Sequence, residues 1–216
     1  YGGDGNDKIK IIGPYNDIYG GNGDDIISVI NFSKDDLVGG SRFITVEGGQ
    51  GADKITLTGI DAALVSYLSS PKALVADLRT QDVKGGHASG DKLVNVQAVW
   101  GSAFDDLLTG NANFNYLKGA GGNDRILGGG GDDLLIGEDG NDIIHGDAGD
   151  DKIVGGLGQD ILFGGKGDDD LEGAEGGDVM KGGAGSDTVD YYYSNGAVNV
   201  DLRSGAGIGG HAQGDV

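Results

Sequence analysis

From Gly101 to Asp190 the sequence reads GSAFDDLLT, GNANFNYLK, GAGGNDRIL, GGGGDDLLI, GEDGNDIIH, GDAGDDKIV, GGLGQDILF, GGKGDDDLE, GAEGGDVMK, GGAGSDTVD, ten nonapeptides without a gap. The shared pattern is G-G-x-G-x-D-x-U-x, with U aliphatic. All ten begin with Gly, eight carry Gly at position 4, and nine carry Asp at position 6, with Asn115 the exception. All ten place Leu, Ile, Val or Met at position 8. A short, fixed period of this kind is the signature of a solenoid, whose units bury their apolar residues only against their neighbours. Each unit reads as a six-residue turn followed by a three-residue strand whose middle side chain alone points inward. Two units make one 18-residue coil. The fold expected is therefore all-β, a parallel β-roll (β-solenoid) of 18-residue coils.

Further copies stand at 2–10 (GGDGNDKIK), 20–28 (GGNGDDIIS) and 48–56 (GGQGADKIT), with a degraded one between the first two that ends in Asn16, Asp17 and Ile18. Residues 57–100 break the period. Within them, ALVADLRTQDVKGGHASGDK at 73–92 recurs as AVNVDLRSGAGIGGHAQGDV at 197–216, a constant offset of 124 with ten identities in 20. The larger unit so defined runs from a tract of nonapeptides to a Val-Asp-Leu-Arg strand, a Gly-Gly-His-Ala turn, and LVNVQAVW at 93–100. In that last segment Val94, Val96, Ala98 and Trp100 alternate with Asn95 and Gln97, the pattern of a half-buried strand. The expected division is a first β-roll block at 1–56 with an inserted loop at 29–47, and an interblock strand linker at 57–100. The main roll follows at 101–190, and a second interblock linker begins at 191–216. The chain opens on Tyr1 and stops at Val216 inside a motif already complete upstream, so it is expected to be a piece of a longer protein.

Composition sharpens the reading. There are 47 Gly, 2 Pro and no Cys in 216 residues. Collagen needs glycine at every third place with abundant proline, a disulfide scaffold needs cysteine, and a membrane span needs about 20 consecutive apolar residues. All three are excluded. With 35 acidic against 15 basic side chains the net charge is -20, which repels nucleic acid and anionic membranes and attracts cations. Apolar residues make up 37%, so the core is thin. One aliphatic side chain per nine ordered residues is little burial to set against the backbone entropy of a glycine-rich chain. The roll is expected to be unfolded without metal, with ion binding and folding a single event.

The pattern also says where the metal goes. Position-6 carboxylates on successive coils would lie about 4.8 Å apart and repel; a divalent cation between them reverses the sign. Pairing at i and i+18 gives Asp106 with Asp124, Asn115 with Asp133, Asp124 with Asp142, Asp133 with Asp151, Asp142 with Asp160, Asp151 with Asp169, Asp160 with Asp178, and Asp169 with Asp187. Asp7 with Asp25 makes a ninth pair. Position 5 is often Asp or Asn as well (Asn6, Asp24, Asp105, Asn123, Asp132, Asn141, Asp150, Asp168) and is expected to add oxygens to the same sites. All-oxygen donors, no Cys and only three His select Ca2+ over zinc, copper or magnesium, at about eight to ten ions. A merely solvated acidic face needs no nine-residue register.

No HExxH and no GxSxG occurs, so any catalytic domain lies outside this piece and the piece itself is not an enzyme. The string GGKGD around Lys166 lacks the Ser or Thr that a phosphate loop needs after the lysine. His87 and His211 occupy equivalent interblock turns and read as solvent-exposed turn residues, His145 as a roll-surface residue, and Tyr191, Tyr192 and Tyr193 as a cap. The outward files at positions 7 and 9 are too irregular for ice binding. Their apolar subset, Leu127, Ile143, Ile161 and Phe163, is expected to pack against a neighbouring block.

These nonapeptides resemble the RTX (repeats-in-toxin, haemolysin-type calcium-binding) family, whose motif GGxGxDxUx stands at 101–190 and again at 2–10, 20–28 and 48–56. The resemblance implies a parallel β-roll with calcium in the turns, carried by secreted, extracellular or cell-surface proteins exported by the type I secretion apparatus. By position it implies side-chain ligands at Asp7, Asp25, Asp53, Asp106, Asp124, Asp133, Asp142, Asp151, Asp160, Asp169, Asp178 and Asp187. Carbonyl donors are implied at the turn glycines, among them Gly128, Gly131, Gly137, Gly140, Gly146, Gly149, Gly155, Gly158, Gly164 and Gly167. Asn115 beside Phe114 and Asn113, Ala120 and Glu138 at position 2, and Gly177 at position 5 depart from the motif and are expected to weaken their own sites. The alternation of tracts and linkers looks like the multi-block region of the adenylate cyclase toxin and haemolysin relatives, with neighbouring RTX blocks as partners. The function implied is a calcium-binding module of a secreted toxin that folds on meeting calcium after export. The alternatives are a calcium-rigidified spacer of a large adhesin and the tail of a secreted hydrolase.

Overall fold

The computed structural model describes residues 1–12, 17–32, 44–60, 63–194, 196, 197 and 199–201. Every regular element among them is a strand, and no helix is long and apolar enough to cross a membrane. The strands fall alternately into two sheets, which face each other as a parallel β-roll. One sheet has ten strands and runs from Gly3–Asp4 to Thr188–Asp190; the other has twelve and runs from Lys8–Ile12 to Asn199–Asp201. In the repeat block the register is 18 throughout: Leu107 pairs with Arg125, Arg125 with Ile143, Ile143 with Ile161 and Ile161 with Val179. The opposite sheet repeats the spacing through Tyr116, Leu134, Lys152, Asp170 and Thr188.

The position-8 side chains Leu108, Leu117, Ile126, Leu135, Ile144, Ile153, Leu162, Leu171, Met180 and Val189 are all at most 1% exposed, and they form one file of core between the sheets. The core continues without a break into Ile18, Ile27, Val46 and Ile55 of the first tract. The repeat-block strands from Tyr116–Gly121 to Val179–Ala184 are longer than three residues. Leu134–Asp139 and Lys152–Gly158, for example, run on through the first three positions of the next unit, because Glu138 pairs with Gly156 and Asp139 with Leu157. Ladder hydrogen bonds need only backbone, so the glycines stay in the sheet and the turn shrinks to positions 4 to 6.

Residues 57–100 join the stack rather than interrupting it. Ala63–Ser66 and Ala98–Trp100 pair with each other in the ten-stranded sheet, and Lys92–Val94 pairs with Lys54–Ile60 in the other. An antiparallel hairpin, Val75–Asp77 with Asp82–Lys84, is wedged into that second sheet between Lys92–Val94 and Leu107–Thr109. The segment 93–100 is two strands and not one. Asn95 turns the chain at φ 57°, and the buried side chains are Leu93, Val96, Ala98 and Val99, so the alternation through Val94 and Trp100 does not describe a single half-buried strand. The inserted loop is also narrower than 29–47: Ile26–Phe32 and Ile44–Gln50 are strands of the roll, and 33–43 lies outside the described residues.

Candidate metal centres

Each turn ends on its position-6 aspartate, which the following strand anchors by starting one residue later. Along the twelve-stranded edge the backbone N–H of Asp106 donates to Oδ1 of Asp124 (2.7 Å), that of Asp124 to Asp142 (2.7 Å), that of Asp142 to Asp160 (2.8 Å) and that of Asp160 to Asp178 (3.0 Å). The other edge carries the same ladder from Asn115 through Asp133, Asp151 and Asp169 to Asp187. In the first tract the N–H of Asp7 donates to Asp25 and that of Asp25 to Asp53, both at 2.8 Å. One oxygen of each carboxylate after Asp7 is thus tied to the preceding coil.

The other oxygen is not tied. Oδ2 of Asp7, Asp25, Asp53, Asp124, Asp133, Asp142, Asp151, Asp160, Asp169, Asp178 and Asp187 is buried without a hydrogen-bond partner. A buried, unsatisfied carboxylate oxygen carries a large desolvation cost, and its repetition in register points to a ligand that is not protein. Burial, partly offset by the accepted N–H and reinforced by neighbouring carboxylates, pushes Asp124 up to about 8. For the same leading reason Asp133, Asp160 and Asp169 rise to about 7 and Asp142 and Asp53 to about 6.

Backbone oxygens converge on the same places. A Cβ added to Gly128 would lie 2.5 Å from Oδ2 of Asp133 and 2.7 Å from the carbonyl oxygen of Gly146 on the next coil. Gly137, Gly146, Gly155 and Gly164 are hemmed in the same way by Asp142, Asp151, Asp160 and Asp169 and by the next coil's carbonyl. In these units the first glycine therefore leaves a cradle bounded by a carboxylate and a carbonyl oxygen, the donor set of a hard cation. The position-4 glycines Gly131, Gly140, Gly149, Gly158 and Gly167 serve the turn: Gly140 sits at φ 145° with the Gly122 carbonyl where its side chain would be. Among the described residues no three His, Cys, Asp or Glu side chains come together, so a cation here draws on backbone oxygens too.

The position-5 residues are exposed and bond in the opposite direction. Oδ1 of Asn6, Asp24, Asp105, Asn123, Asp132, Asn141, Asp150 and Asp168 accepts the position-5 N–H of the following coil. Positions 5 and 6 thus stitch each turn to its neighbours above and below. At position 2 the chain adopts positive φ without glycine at Ala120 (88°), Glu138 (79°), Asp147 (75°) and Ala174 (63°), yet the carboxylate ladder passes these units unchanged.

Three ladder positions differ. Asp106 spends both oxygens inside the chain, accepting from the N–H of Leu74 (2.8 Å) and from the N–H (2.5 Å) and hydroxyl (2.9 and 3.1 Å) of Ser102. Asn115 accepts from the N–H of Asn111 (2.7 Å) in its own turn. The third is Asp91, which sequence reasoning missed: it accepts the N–H of Asp53 (2.8 Å) at Oδ1 and the hydroxyl of Tyr67 (2.9 Å) at Oδ2. The signal was available in Gly90, Asp91, Lys92 and Leu93, which follow the motif's x-D-x-U.

His87 is half-buried instead of exposed, with a buried, unpartnered Nδ1, while His211 lies outside the described residues. Tyr191 packs against the end of the core, and Tyr192 and Tyr193 are exposed and meet edge to face.

The family described as the RTX calcium-binding nonapeptide repeat (4 copies) matches residues 16–28, 100–135, 127–162, 136–171 and 163–191. No curated protein matches the chain.

Proposed function

Through residues 16–28 and 100–191 the chain belongs to the RTX calcium-binding nonapeptide-repeat family, and from that premise we propose that it is a secreted folding module that takes up the roll only when calcium is present. One observation carries this reading. Eleven buried carboxylate oxygens stand in register without a partner, each beside a glycine-made cradle. We assign Asp7, Asp25, Asp53, Asp124, Asp133, Asp142, Asp151, Asp160, Asp169, Asp178 and Asp187 as side-chain ligands, with first-position glycine carbonyls beside them. Calcium, when bound, supplies the positive charge that these oxygens lack. The chain's own part is to hold the oxygens: backbone N–H groups of the preceding coil fix each carboxylate after Asp7, and the missing Cβ keeps its second oxygen accessible.

The direction of export follows from the same balance. In a compartment poor in calcium the acidic, glycine-rich chain stays open through self-repulsion and backbone entropy. Outside, sites in the range of about 10⁻⁴ to 10⁻³ M fill and folding follows by mass action. The recurrence of 73–92 at 197–216 favours a multi-block parent of the toxin kind. Circular dichroism during a calcium titration, with magnesium as control, tests the proposal. A spectrum that turns β-rich with calcium and not with magnesium is expected, and a spectrum already β-rich in chelator overturns it.

A further inference from the structure

We infer that residues 63–118 form a calcium-independent seat in the middle of the roll, on which the coils to either side order only when calcium is bound. This rests on the calcium reading above and specifies which turns need the ion. At Asp91 the Tyr67 hydroxyl donates to the oxygen that is orphaned at Asp53, one coil earlier. At Asp106 the Ser102 hydroxyl and N–H do the same work, one coil before the orphaned oxygen of Asp124. At Asn115 an uncharged amide stands in the ladder, its oxygen bonded to Asn111 and its Nδ2 to the Gln97 carbonyl (3.5 Å). A hydroxyl or amide donor satisfies a buried oxygen without any ion. Asp91 and Asp106 flank the hairpin on the twelve-stranded edge, between the orphaned oxygens of Asp53 and Asp124, and Asn115 stands on the other edge one coil before the orphaned oxygen of Asp133.

Burial points the same way independently. Fifteen apolar side chains are buried between 63 and 118, against eight in the longer stretch 119–190. Tyr67, Leu74, Leu78, Val83, Ala88 and Val96 have no counterpart in a nonapeptide coil, where position 8 is the one buried apolar side chain. The antiparallel hairpin Val75–Asp77 with Asp82–Lys84 adds contacts of short sequence separation, which form at low loop-closure cost. Its turn is held by Asp77, which accepts the Arg79 N–H (2.9 Å) and pairs with the guanidinium (2.8 Å). The segment therefore has satisfied ladder carboxylates and the apolar area to stand without metal, with His87 Nδ1 and Trp100 Nε1 as its unpartnered buried side-chain atoms.

Hydrogen exchange of the full 216-residue chain, read by mass spectrometry in chelator and then in calcium, tests this. In chelator, amides of 63–66, 93–94, 98–100 and 107–109 are expected to exchange at least about tenfold slower than unfolded chain, while those of 119–190 exchange freely; calcium then protects both. Free exchange of both regions in chelator, with calcium protecting both, overturns the seat and leaves the calcium reading intact. Protection of 119–190 in chelator, unchanged by calcium, overturns that reading and the seat with it. Tyr67→Phe leaves Oδ2 of Asp91 unsatisfied, whereas Ser102→Ala removes only the hydroxyl and leaves Asp106 the backbone N–H groups of residue 102 and Leu74. Tyr67→Phe is expected to make protection of 63–109 depend on calcium, with the smaller loss in Ser102→Ala, and unchanged protection of Tyr67→Phe in chelator counts against the inference.

Discussion

The backbone N–H of Asp142 donates to Oδ1 of Asp160 at 2.8 Å, and Oδ2 of both residues is buried without a partner. Asp142→Asn separates the two roles. The amide keeps an oxygen to accept from the Asp124 N–H but brings no charge to the cradle. In calcium the variant should be less stable by about 2 kcal/mol and need roughly tenfold more calcium at the midpoint. In chelator it should be no less stable than the parent, because Asp142 raises the proton affinity of Asp124 and Asp160 through like-charge repulsion. Calcium titrations and calcium-loaded melts followed by circular dichroism check the first half, and β-content in chelator checks the second. A lowered melting point with an unmoved calcium midpoint would remove the metal from the explanation.

The pH dependence has a definite sign. In the folded roll Asp124 titrates at about 8, Asp133, Asp160 and Asp169 at about 7 and Asp142 at about 6, all raised chiefly by burial; unfolded aspartates titrate near about 4. The folded state then binds protons more tightly than the unfolded one. The penalty for burying these groups is absent below about pH 4, grows as pH rises and is complete above about pH 8. In chelator, β-content should increase as pH is lowered from 8 towards 5. In calcium, the ion competes with the proton, so the calcium midpoint should move to higher concentration over the same range. Loss of β-content on acidification in chelator would contradict the burial of these carboxylates.

Two glycines of one unit make a controlled pair. An alanine at Gly128 places its Cβ against Oδ2 of Asp133 and the Gly146 carbonyl, whereas one at Gly130 meets nothing nearer than 3.6 Å. Neither position has positive φ. Gly128→Ala should cost about 1–3 kcal/mol through overpacking and weaken calcium binding, while Gly130→Ala should stay within about 0.5 kcal/mol of the parent. Calcium-loaded thermal melts of the two variants decide it, and equal effects would mean that the first-position cradle does not matter.

The coil was legible because the three features that build it, glycine, aspartate and one aliphatic, all repeat every nine residues. The length of the strands was not. Glycine reads as turn by propensity, yet Gly129 and Gly130 pair with Asp147 and Ala148 by backbone alone. The partner of Asp91 was hidden for a different reason: Tyr67 lies 24 residues earlier, and only the fold brings its hydroxyl to the carboxylate. Ser102 stood in plain view at position 2, but the direction of its hydroxyl is a three-dimensional fact. The 124-residue recurrence proved to extend upstream of 197. Ser70 donates its N–H to the Tyr67 carbonyl and its hydroxyl to that of Lys72, and Ser194 repeats both bonds with Tyr191 and Gly196.

The outer face of the roll carries aromatic contacts that involve no metal. Phe163 stacks on His145 with ring centroids 4.4 Å apart and planes 20° from parallel, and Lys181 sits over the Phe163 ring at 5.5 Å. These residues pair across adjacent strands at position 9, in a file that also holds Thr109 and Leu127. The ring thus finds its cover within its own sheet. His145 is held below the usual histidine range, first by burial and then by Arg125, with Asp147 opposing. Phe163→Ala should expose the imidazole and raise its pKa towards 6.5 while costing about 1 kcal/mol of calcium-loaded stability, the worth of an aromatic pair. A proton NMR titration of the His145 ring in both proteins reads the shift directly. An unmoved titration would mean that Arg125, and not the phenyl ring, sets the proton affinity there.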